Sequence, residues 1–488
     1  MDIHKFFCPD SIAVIGASRT STKAGGVVVN NLIKFGYAGK IYPVNPSADE
    51  IDGLKCYPSV GQIKEKVDLA VIVIPAQFVA GELEKCGKKG IKNVIILSGG
   101  FGEIGEKARE EELKAIAKKY KIRVLGPNCV GIIDTYSKID TMFLPRYRMA
   151  TPLKGKISFI TQSGAVGATS VDWAARQKLG FSKMISYGNR LDVDEVELLE
   201  FLENDPNTST IMMYIESLAR GREFIKTACR LTKSKPIVVV KSGRTEHGAK
   251  AVQSHTGSLA GSDRIYDAAF KESGVIRANS IEQMFDYSKA LSRQPPAKGN
   301  RIQIVTCGGG FGVMATDKVE SLGMQLAQID EQRKARLKQH FPEHVVVSNP
   351  LDLTGDATPE MFETALRECL ADDNVDGVIA IFLFQLPKLD YSLISVIEDV
   401  LADFQKPMVG VSAGSEFSAM HTSLLEEIGL PMYATPERAA DAMLALVVQG
   451  KNRSTSSARA AEGSVCHPQS DSARRTLRRP VPCRHSSA

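Results

Sequence analysis

Short β-branched runs alternate along the chain with stretches of helical periodicity. The first run, Ser11-Ile-Ala-Val-Ile-Gly16, is followed by runs at Lys40–Val44, Leu69–Ile74, Asn93–Leu97 and Arg123–Leu125, with amphipathic segments such as Glu103–Tyr120 between them. Apolar runs of this length, separated by helical segments, predict buried parallel strands joined by right-handed crossovers. Residues 1–150 are therefore expected to form a Rossmann-type α/β domain. After the Pro145–Gly155 linker the pattern restarts at Lys156-Ile-Ser-Phe-Ile-Thr-Gln-Ser-Gly164, with later strands at Lys183–Tyr187, Thr210–Ile215 and Pro236–Lys241. A second linker, Ser292–Asn300, holds Pro295, Pro296 and Gly299, and Arg301-Ile-Gln-Ile-Val-Thr-Cys-Gly-Gly-Gly310 opens a third block. That block has strands near Gly377–Phe384 and Pro407–Val411, and a last helix, Pro436–Val448, which Gly450 is placed to cap. The expected domains are thus 1–150, 151–297 and 298–450, with a tail at 451–488.

The length of 488 residues suits three domains at roughly 150 residues each, and 43% hydrophobic and 24% charged residues exclude wholesale disorder. The net charge of +5 first suggests a nucleic-acid or membrane-surface partner. Its location removes that reading. Eight basic residues (Lys451, Arg453, Arg459, Arg474, Arg475, Arg478, Arg479 and Arg484) face only Glu462 and Asp471 in the last stretch, so residues 1–450 are close to neutral. The tail is rich in Ser, Ala and Arg and poor in large apolar residues, and is expected to be disordered. No nucleic acid and no membrane is expected as a partner.

Nine cysteines without C-x-x-C or framework spacing read as reduced thiols of a cytoplasmic protein. Cys466-His467 and Cys483-x-His485 lack an apolar frame for zinc, and no metal site is expected. The N-terminal MDIHKFFCPD lacks the basic and apolar regions of a signal peptide, and no apolar run approaches the ~20 residues of a membrane helix.

Ligands of doubly wound sheets bind beyond the C-terminal strand ends, which sorts the loop residues by edge. In the first block that edge carries Gly16-Ala17-Ser18-Arg19, Ile74-Pro75, Ser98-Gly-Gly-Phe101 and Gly126-Pro127-Asn128-Cys129. Taken singly, each is also the turn any such sheet requires. The second strand ends Pro43-Val44-Asn45-Pro46, without the acid that NAD ribose hydroxyls need, so a nucleotide-bearing ligand other than NAD fits better. In the second block, Gln162-Ser163-Gly164 follows a strand and opens a helix, a natural phosphate cradle. Tyr187-Gly188-Asn189 ends the next strand and Glu216 the one after. His255 lies in a segment of small residues, read as a loop free to move. A lone loop histidine is ordinarily surface. Here a cradle and a carboxylate share its sheet edge, so an imidazole could take a phosphoryl group while Glu216 fixes its tautomer. Thr306-Cys-Gly-Gly-Gly-Phe-Gly312 repeats the cradle, or is a turn allowing close packing.

Phe7-Cys-Pro-Asp-Ser-Ile-Ala-Val-Ile-Gly-Ala-Ser18, Gly-Pro-Asn-Cys129, Gln-Ser-Gly164, Ser-His-Thr-Gly-Ser-Leu-Ala-Gly261 and Asn-Pro-Leu-Asp-Leu-Thr-Gly355, in that order, resemble the α subunit of ADP-forming acetyl-CoA synthetases. These belong to the NDP-forming acyl-CoA synthetase superfamily and are related to succinyl-CoA synthetase. The resemblance spans residues 1–450. It implies a CoA-binding Rossmann-type domain followed by two flavodoxin-like, succinyl-CoA-synthetase-like α/β domains. It implies further that His255 is the transient phosphohistidine and Glu216 its orienting carboxylate, and that Gln162, Ser163, Gly164, Gly309 and Gly310 bind phosphate. Gly16, Ala17, Ser18, Arg19, Pro43, Asn45, Pro75, Pro127, Asn128 and Cys129 would lie along CoA. The chain shows no ATP-grasp domain and no Walker A sequence. The resemblance implies that ADP/ATP with Mg2+ is bound by a separate ATP-grasp β subunit, in an α2β2 assembly, to which the phosphohistidine swings. The implied reaction converts acetyl-CoA, ADP and phosphate to acetate, CoA and ATP. The alternatives are an NAD-dependent oxidoreductase and a non-catalytic CoA-binding scaffold.

Overall fold

The computed structural model describes residues 3–256 and 262–461, with the backbone alone for 254–256 and 455–461. These residues fall into two compact units. The first comprises the chain up to Leu231 together with Val239–Ser273, and the second comprises Thr232–Val238 together with the chain from Gly274 on.

In the first unit, β1 (Ser11–Ile15), α1 (Ala24–Phe35) and β2 (Lys40–Val44) form the opening βαβ unit. A two-residue hairpin follows, β3 (Glu50–Ile51) with β4 (Leu54–Lys55), and then β5 (Leu69–Ile72), α2 (Ala76–Lys89), β6 (Asn93–Ile96), α3 (Lys107–Tyr120) and β7 (Arg123–Leu125). The sheet runs β2-β1-β5-β6-β7 with every pairing parallel. All five residues of β1 are buried, which is why its run is continuously apolar rather than alternating.

A second ladder runs β13-β12-β10-β11-β8-β9, built from β8 (Ile132–Asp134), β9 (Ile139–Asp140), β10 (Lys154–Thr161), β11 (Phe181–Ser186), β12 (Thr210–Ile215) and β13 (Ile237–Lys241). Its helices are α4 (Gly164–Arg176), α5 (Glu195–Glu203), α6 (Gly221–Leu231), α7 (Glu246–Thr256) and α8 (Asp263–Ser273). The antiparallel hairpin β8–β9, which the hydrophobic pattern does not predict, extends this ladder through β11. Residues 246–256 are helical rather than a loop.

The second unit holds β14 (Ile276–Ala278), α9 (Ile281–Arg293), β15 (Arg301–Thr306), α10 (Gly309–Ser321), β16 (Gln325–Leu326), α11 (Glu331–His340), β17 (Leu351–Asp352), α12 (Pro359–Leu370), β18 (Gly377–Ile381), α13 (Ser392–Asp403), β19 (Met408–Val411), α14 (Glu416–Glu427), β20 (Met432–Tyr433) and α15 (Pro436–Ala461). Its parallel sheet is ordered β16-β15-β18-β19-β20. Gly450 does not end α15, which continues to Ala461, so the first part of the expected tail is helical. A Cβ on Gly450 would lie 1.7 Å from the Ala297 carbonyl oxygen, so the glycine admits a close backbone approach in mid-helix. Residues 462–488, with Cys466, His467, Cys483 and His485, lie outside the described residues. No helix among the described residues is long and apolar enough to cross a membrane.

Candidate active site

Three neighbouring strand ends bring polar groups of the first unit together. In the registers of β10 with β11 and β12, Thr161 pairs with Ser186 and Tyr214, so Gln162, Tyr187 and Glu216 leave the sheet near one another. The Gln162 N–H donates to the Tyr214 carbonyl at 3.2 Å and the Tyr187 N–H to the Thr161 carbonyl at 3.1 Å. The Gln162 Oε1 accepts from the N–H groups of Glu216 and, at 3.1 Å, Ser217. With its carbonyl oxygen thus engaged, the Gln162 side chain presents its NH2 donors elsewhere, and Gln162 lines the cavity over the strand ends.

Ser163 is the N-cap of α4, its hydroxyl accepting from the Val166 N–H at 3.3 Å. Thr161 Oγ1 ties down the turn, accepting from the Ser163 N–H and donating to the Ser163 carbonyl. The cap uses the Ser163 hydroxyl, so the groups this helix end can offer an anion are the N–H groups of Gly164 and Ala165, both on the cavity wall. A Cβ on Gly164 would meet Val130 at 2.6 Å, so glycine lets the helix end sit against the opposite wall.

That wall is the turn after β7. Gly188, at φ +50°, brings the turn after β11 so close that a Cβ would lie 2.2 Å from the Pro127 carbonyl oxygen. Asn189 and Leu191 donate to the carbonyls of Pro127 and Gly126 at 2.9 and 3.0 Å. Asn128 Nδ2 donates to Asn189 Oδ1, and Asn189 Nδ2 to Glu103 Oε2 at 2.6 Å. Burial would raise the Glu103 carboxyl, but the N–H groups of Gly100 and Phe101 and the Asn189 amide hold it below its ordinary value. Arg190 grips Ser217, donating to its carbonyl at 2.6 Å and its hydroxyl at 2.7 Å, and lies 3.6 Å from Glu195 Oε2. Burial raises the Glu195 carboxyl. Burial also raises the Tyr187 hydroxyl far above its ordinary value, helped by the negative charge of Glu195.

The half-open chamber has a volume of about 390 Å³. Of the residues expected from the sequence it joins Gln162, Ser163, Gly164, Glu216, Asn128 and Cys129. Glu216 is 6% exposed. Burial pushes the Cys129 thiol up to about 12, and its sulfur donates to the Ile96 carbonyl, so it is an inert wall rather than a nucleophile. Leu97 also borders an open depression of about 310 Å³ that includes Pro75, Ser98 and Ala24.

The other expected residues lie elsewhere. Gly16, at φ +93°, makes the tight turn after β1, where a Cβ would meet the Val73 carbonyl oxygen at 2.5 Å. The helix behind it begins only at Ala24, so Ala17, Ser18 and Arg19 form a loop. Asn45 Nδ2 holds this loop by donating to the Ala17 carbonyl at 2.7 Å, and Arg19 Nε donates to the Glu50 carbonyl at 3.1 Å. Pro43 is buried inside β2 opposite Val14, and Pro127 is buried in the turn after β7. Gly309 and Gly310 open α10 in the second unit. The His255 backbone lies in the last turn of α7; its side chain and residues 257–261 lie outside the described residues. Among the described residues no group of three or more His, Cys, Asp or Glu is placed to hold a metal ion.

Leu97, Gly99, Val130, Phe143, Ala165, Asn189 and Arg190 also line the chamber. Asn189 and Ala165 flank motifs visible in the sequence. Phe143 sits in an irregular segment where no periodicity marks it.

Residues 10–135 match the family described as CoA binding domain, 154–291 the succinyl-CoA ligase like flavodoxin domain and 302–458 the Ligase-CoA domain. The α subunit of ADP-forming acetate–CoA ligase I of Pyrococcus furiosus is 43% identical over 457 residues, covering 91% of this chain and 97% of the relative. The ADP-forming 4-hydroxybutyrate–CoA ligase of Nitrosopumilus maritimus is 38% identical, covering 90% of this chain and 63% of the relative. Among solved structures, the dinucleotide forming acetyl-coenzyme A synthetase 1 of Ca. Korarchaeum cryptofilum, in complex with phosphate and ADP, superposes with a TM-score of 0.89 at 39% identity, covering 94% of this chain and 99% of that one.

Proposed function

The chain belongs to the family of ADP-forming acetate–CoA ligase α subunits, and from that membership we propose that it converts acetyl-CoA, phosphate and ADP to acetate, CoA and ATP together with a partner subunit. The observation that carries this reading is the chamber itself. It combines an uncharged helix N-terminus, the Gln162 amide and a buried carboxylate, Glu216, at one strand-end edge, beside an open depression lined by the CoA-binding fold.

CoA enters over the Gly16–Arg19 loop, Asn45 and Pro75 and reaches the chamber along this depression. Phosphate, held by Gln162 and the Gly164 and Ala165 N–H groups, attacks the thioester carbonyl. The C–S bond breaks, and acyl phosphate and CoA thiol result. Donors fixed in place for the phosphate need no reorganisation as charge shifts toward the leaving group. The His255 imidazole then takes the phosphoryl group, releasing acetate, and Glu216 holds its other ring N–H. ADP on the partner accepts the phosphoryl group. The glycine-led N-terminus of α10, at Gly309 and Gly310, is a further phosphate-binding end. The partner is an ATP-grasp β subunit carrying ADP and Mg2+, in an α2β2 assembly in the cytoplasm. At the β2 end the polar side chain is Asn45, tied to Ala17, where an NAD enzyme would place an acid, and this disfavours the oxidoreductase reading.

Incubation with acetyl-CoA and labelled phosphate tests the reading. The expected label is acid-labile, base-stable and on His255. The His255→Ala holoenzyme is expected to have no ADP-dependent turnover; full activity with a retained label would overturn the mechanism. CoA binding without any label on His255 would favour a scaffold instead.

A further inference from the structure

A third space, a solvent-open side cavity of about 400 Å³, shares Phe143 with the chamber in the first unit. Val27, Leu144, Pro145, Met149, Ala168 and Thr169 make much of its wall, with Arg148 and Asp172 its charged members. One residue, Phe143, borders all three spaces: the chamber, the depression beside Pro75 and this side cavity.

Phe143 is held from both sides. Asn31, 1% exposed in α1, donates from Nδ2 to the Met142 carbonyl at 2.8 Å and to the Leu144 carbonyl at 3.0 Å, the two peptide groups flanking the ring. The same segment is anchored by Asp140, which accepts from the Met142 N–H and from Arg146 Nε at 3.1 Å. The Arg146 guanidinium stacks over Phe35 at 4.0 Å. A half-buried ring with its backbone fixed this closely is a wall.

We propose that the side cavity is a subsite for acyl chains longer than acetyl, and that Phe143 closes it against the chamber and so sets the acyl length accepted. The inference rests on the proposed reaction. There the thioester carbonyl lies within reach of phosphate at Gly164 and Ala165, with its sulfur toward the depression beside Pro75. The acyl carbon leaves the carbonyl on the side away from sulfur, along the face of α4. Ala168 and Thr169 lie three and four residues after Ala165, on the same helix face, and these residues line the side cavity. A chain growing from the carbonyl is thus led from the chamber to the side cavity, and the Phe143 ring stands between them.

The test uses the holoenzyme assembled with its nucleotide-binding partner, in the acid-consuming direction, with acetate, butyrate, isobutyrate and phenylacetate. In Phe143→Ala the ratio of kcat/KM for butyrate to that for acetate is expected to rise at least about tenfold, the scale a methylene or two contributes in an apolar pocket. Adding Ala168→Phe to that variant refills the cavity and is expected to return the ratio toward the wild-type value. Phe143→Leu, a milder truncation, is expected to shift the ratio in the same direction and serves if the alanine variant does not assemble. A ratio unchanged within about threefold in the truncations, an equal loss for all four acids, or a butyrate gain that survives Ala168→Phe would overturn the proposal. A wild-type holoenzyme that turns over none of the acids would instead overturn the proposed reaction.

Discussion

Replacing Gln162 by Glu separates the bond that side chain makes to the neighbouring strand end from the phosphate contact proposed for it. One carboxylate oxygen takes the place of Oε1 and still accepts from the Glu216 and Ser217 N–H groups, so the strand ends keep their spacing. The other replaces the NH2 donor and turns an acceptor on the phosphate. A donor bond to a charged acceptor contributes ~1.5–3 kcal/mol. A new charge about 4 Å from the phosphate repels it by ~4 kcal/mol at an effective dielectric of 20, and solvent in a half-open chamber cuts that to ~2 kcal/mol. Together these lower kcat/KM for phosphate on the order of 10³-fold. The assay is steady-state turnover of the holoenzyme with phosphate varied at saturating acetyl-CoA and ADP, with CoA affinity measured by calorimetry. CoA affinity is expected to stay within about threefold of wild type. If phosphate kcat/KM also stays within threefold in the folded variant, the cradle has been misassigned.

Three further outcomes follow from the same geometry. Gly188→Ala places a methyl group 2.2 Å from the Pro127 carbonyl oxygen at φ +50°, so a loss of at least ~2 kcal/mol in thermal unfolding is expected, with a raised KM for phosphate; a melting temperature unchanged within 1–2 °C would refute the close approach. Asn31→Leu keeps the volume but strands the Met142 and Leu144 carbonyls, at a cost of ~2–4 kcal/mol, and is expected to broaden acyl preference as the Phe143 wall loosens; unfolding curves and the butyrate-to-acetate ratio check both. Burial raises the Asp140 carboxyl to about 6, with Arg146 opposing. The folded chain thus holds a proton that the unfolded chain lacks between about pH 4 and 6, and lowering the pH through that window stabilises the fold by up to ~3 kcal/mol. Asp140→Asn cannot gain this, so the wild-type stability relative to the variant is expected to rise by that amount from pH 7 to pH 4; urea unfolding at both pH values would refute it if the difference stays flat.

How far the sequence reaches depends on what each residue does locally. Apolar runs such as Ser11–Ile15 and Thr210–Ile215 are strands because burial on both faces leaves no polar alternation, so their positions are readable without coordinates. The hairpin at Ile132–Asp134 and Ile139–Asp140 is not, because two or three residues of pairing leave no pattern. Gly450 reads as a helix cap because glycine is commonest there; only the Ala297 backbone beside it explains why the helix passes straight through. Small residues around His255 suggest a loop, yet in residues 246–256 alanines and long polar side chains outweigh the one glycine, Gly248, and favour helix.

The site divides along the same line. Gln162 and Glu216 are legible because each follows a strand on the ligand edge, and the structure adds the bond that makes them one device: Gln162 holds the Glu216 N–H with one end and offers donors with the other. Pro43 and Pro127, read from the same edge, are buried, a difference the strand-end rule does not register, since a residue near a strand end has two faces. Phe143 has no local signal at all. Its importance comes from Asn31, more than a hundred residues earlier, fixing the peptide groups on either side of it. A wall built by a buried polar clamp on a distant helix is invisible to periodicity, yet in the proposed reaction it is what an incoming acyl chain meets. In the proposed reaction the chemistry is therefore drawn from strand ends, where sequence shows it, while the proposed selectivity rests on an irregular segment whose shape only the packed unit supplies.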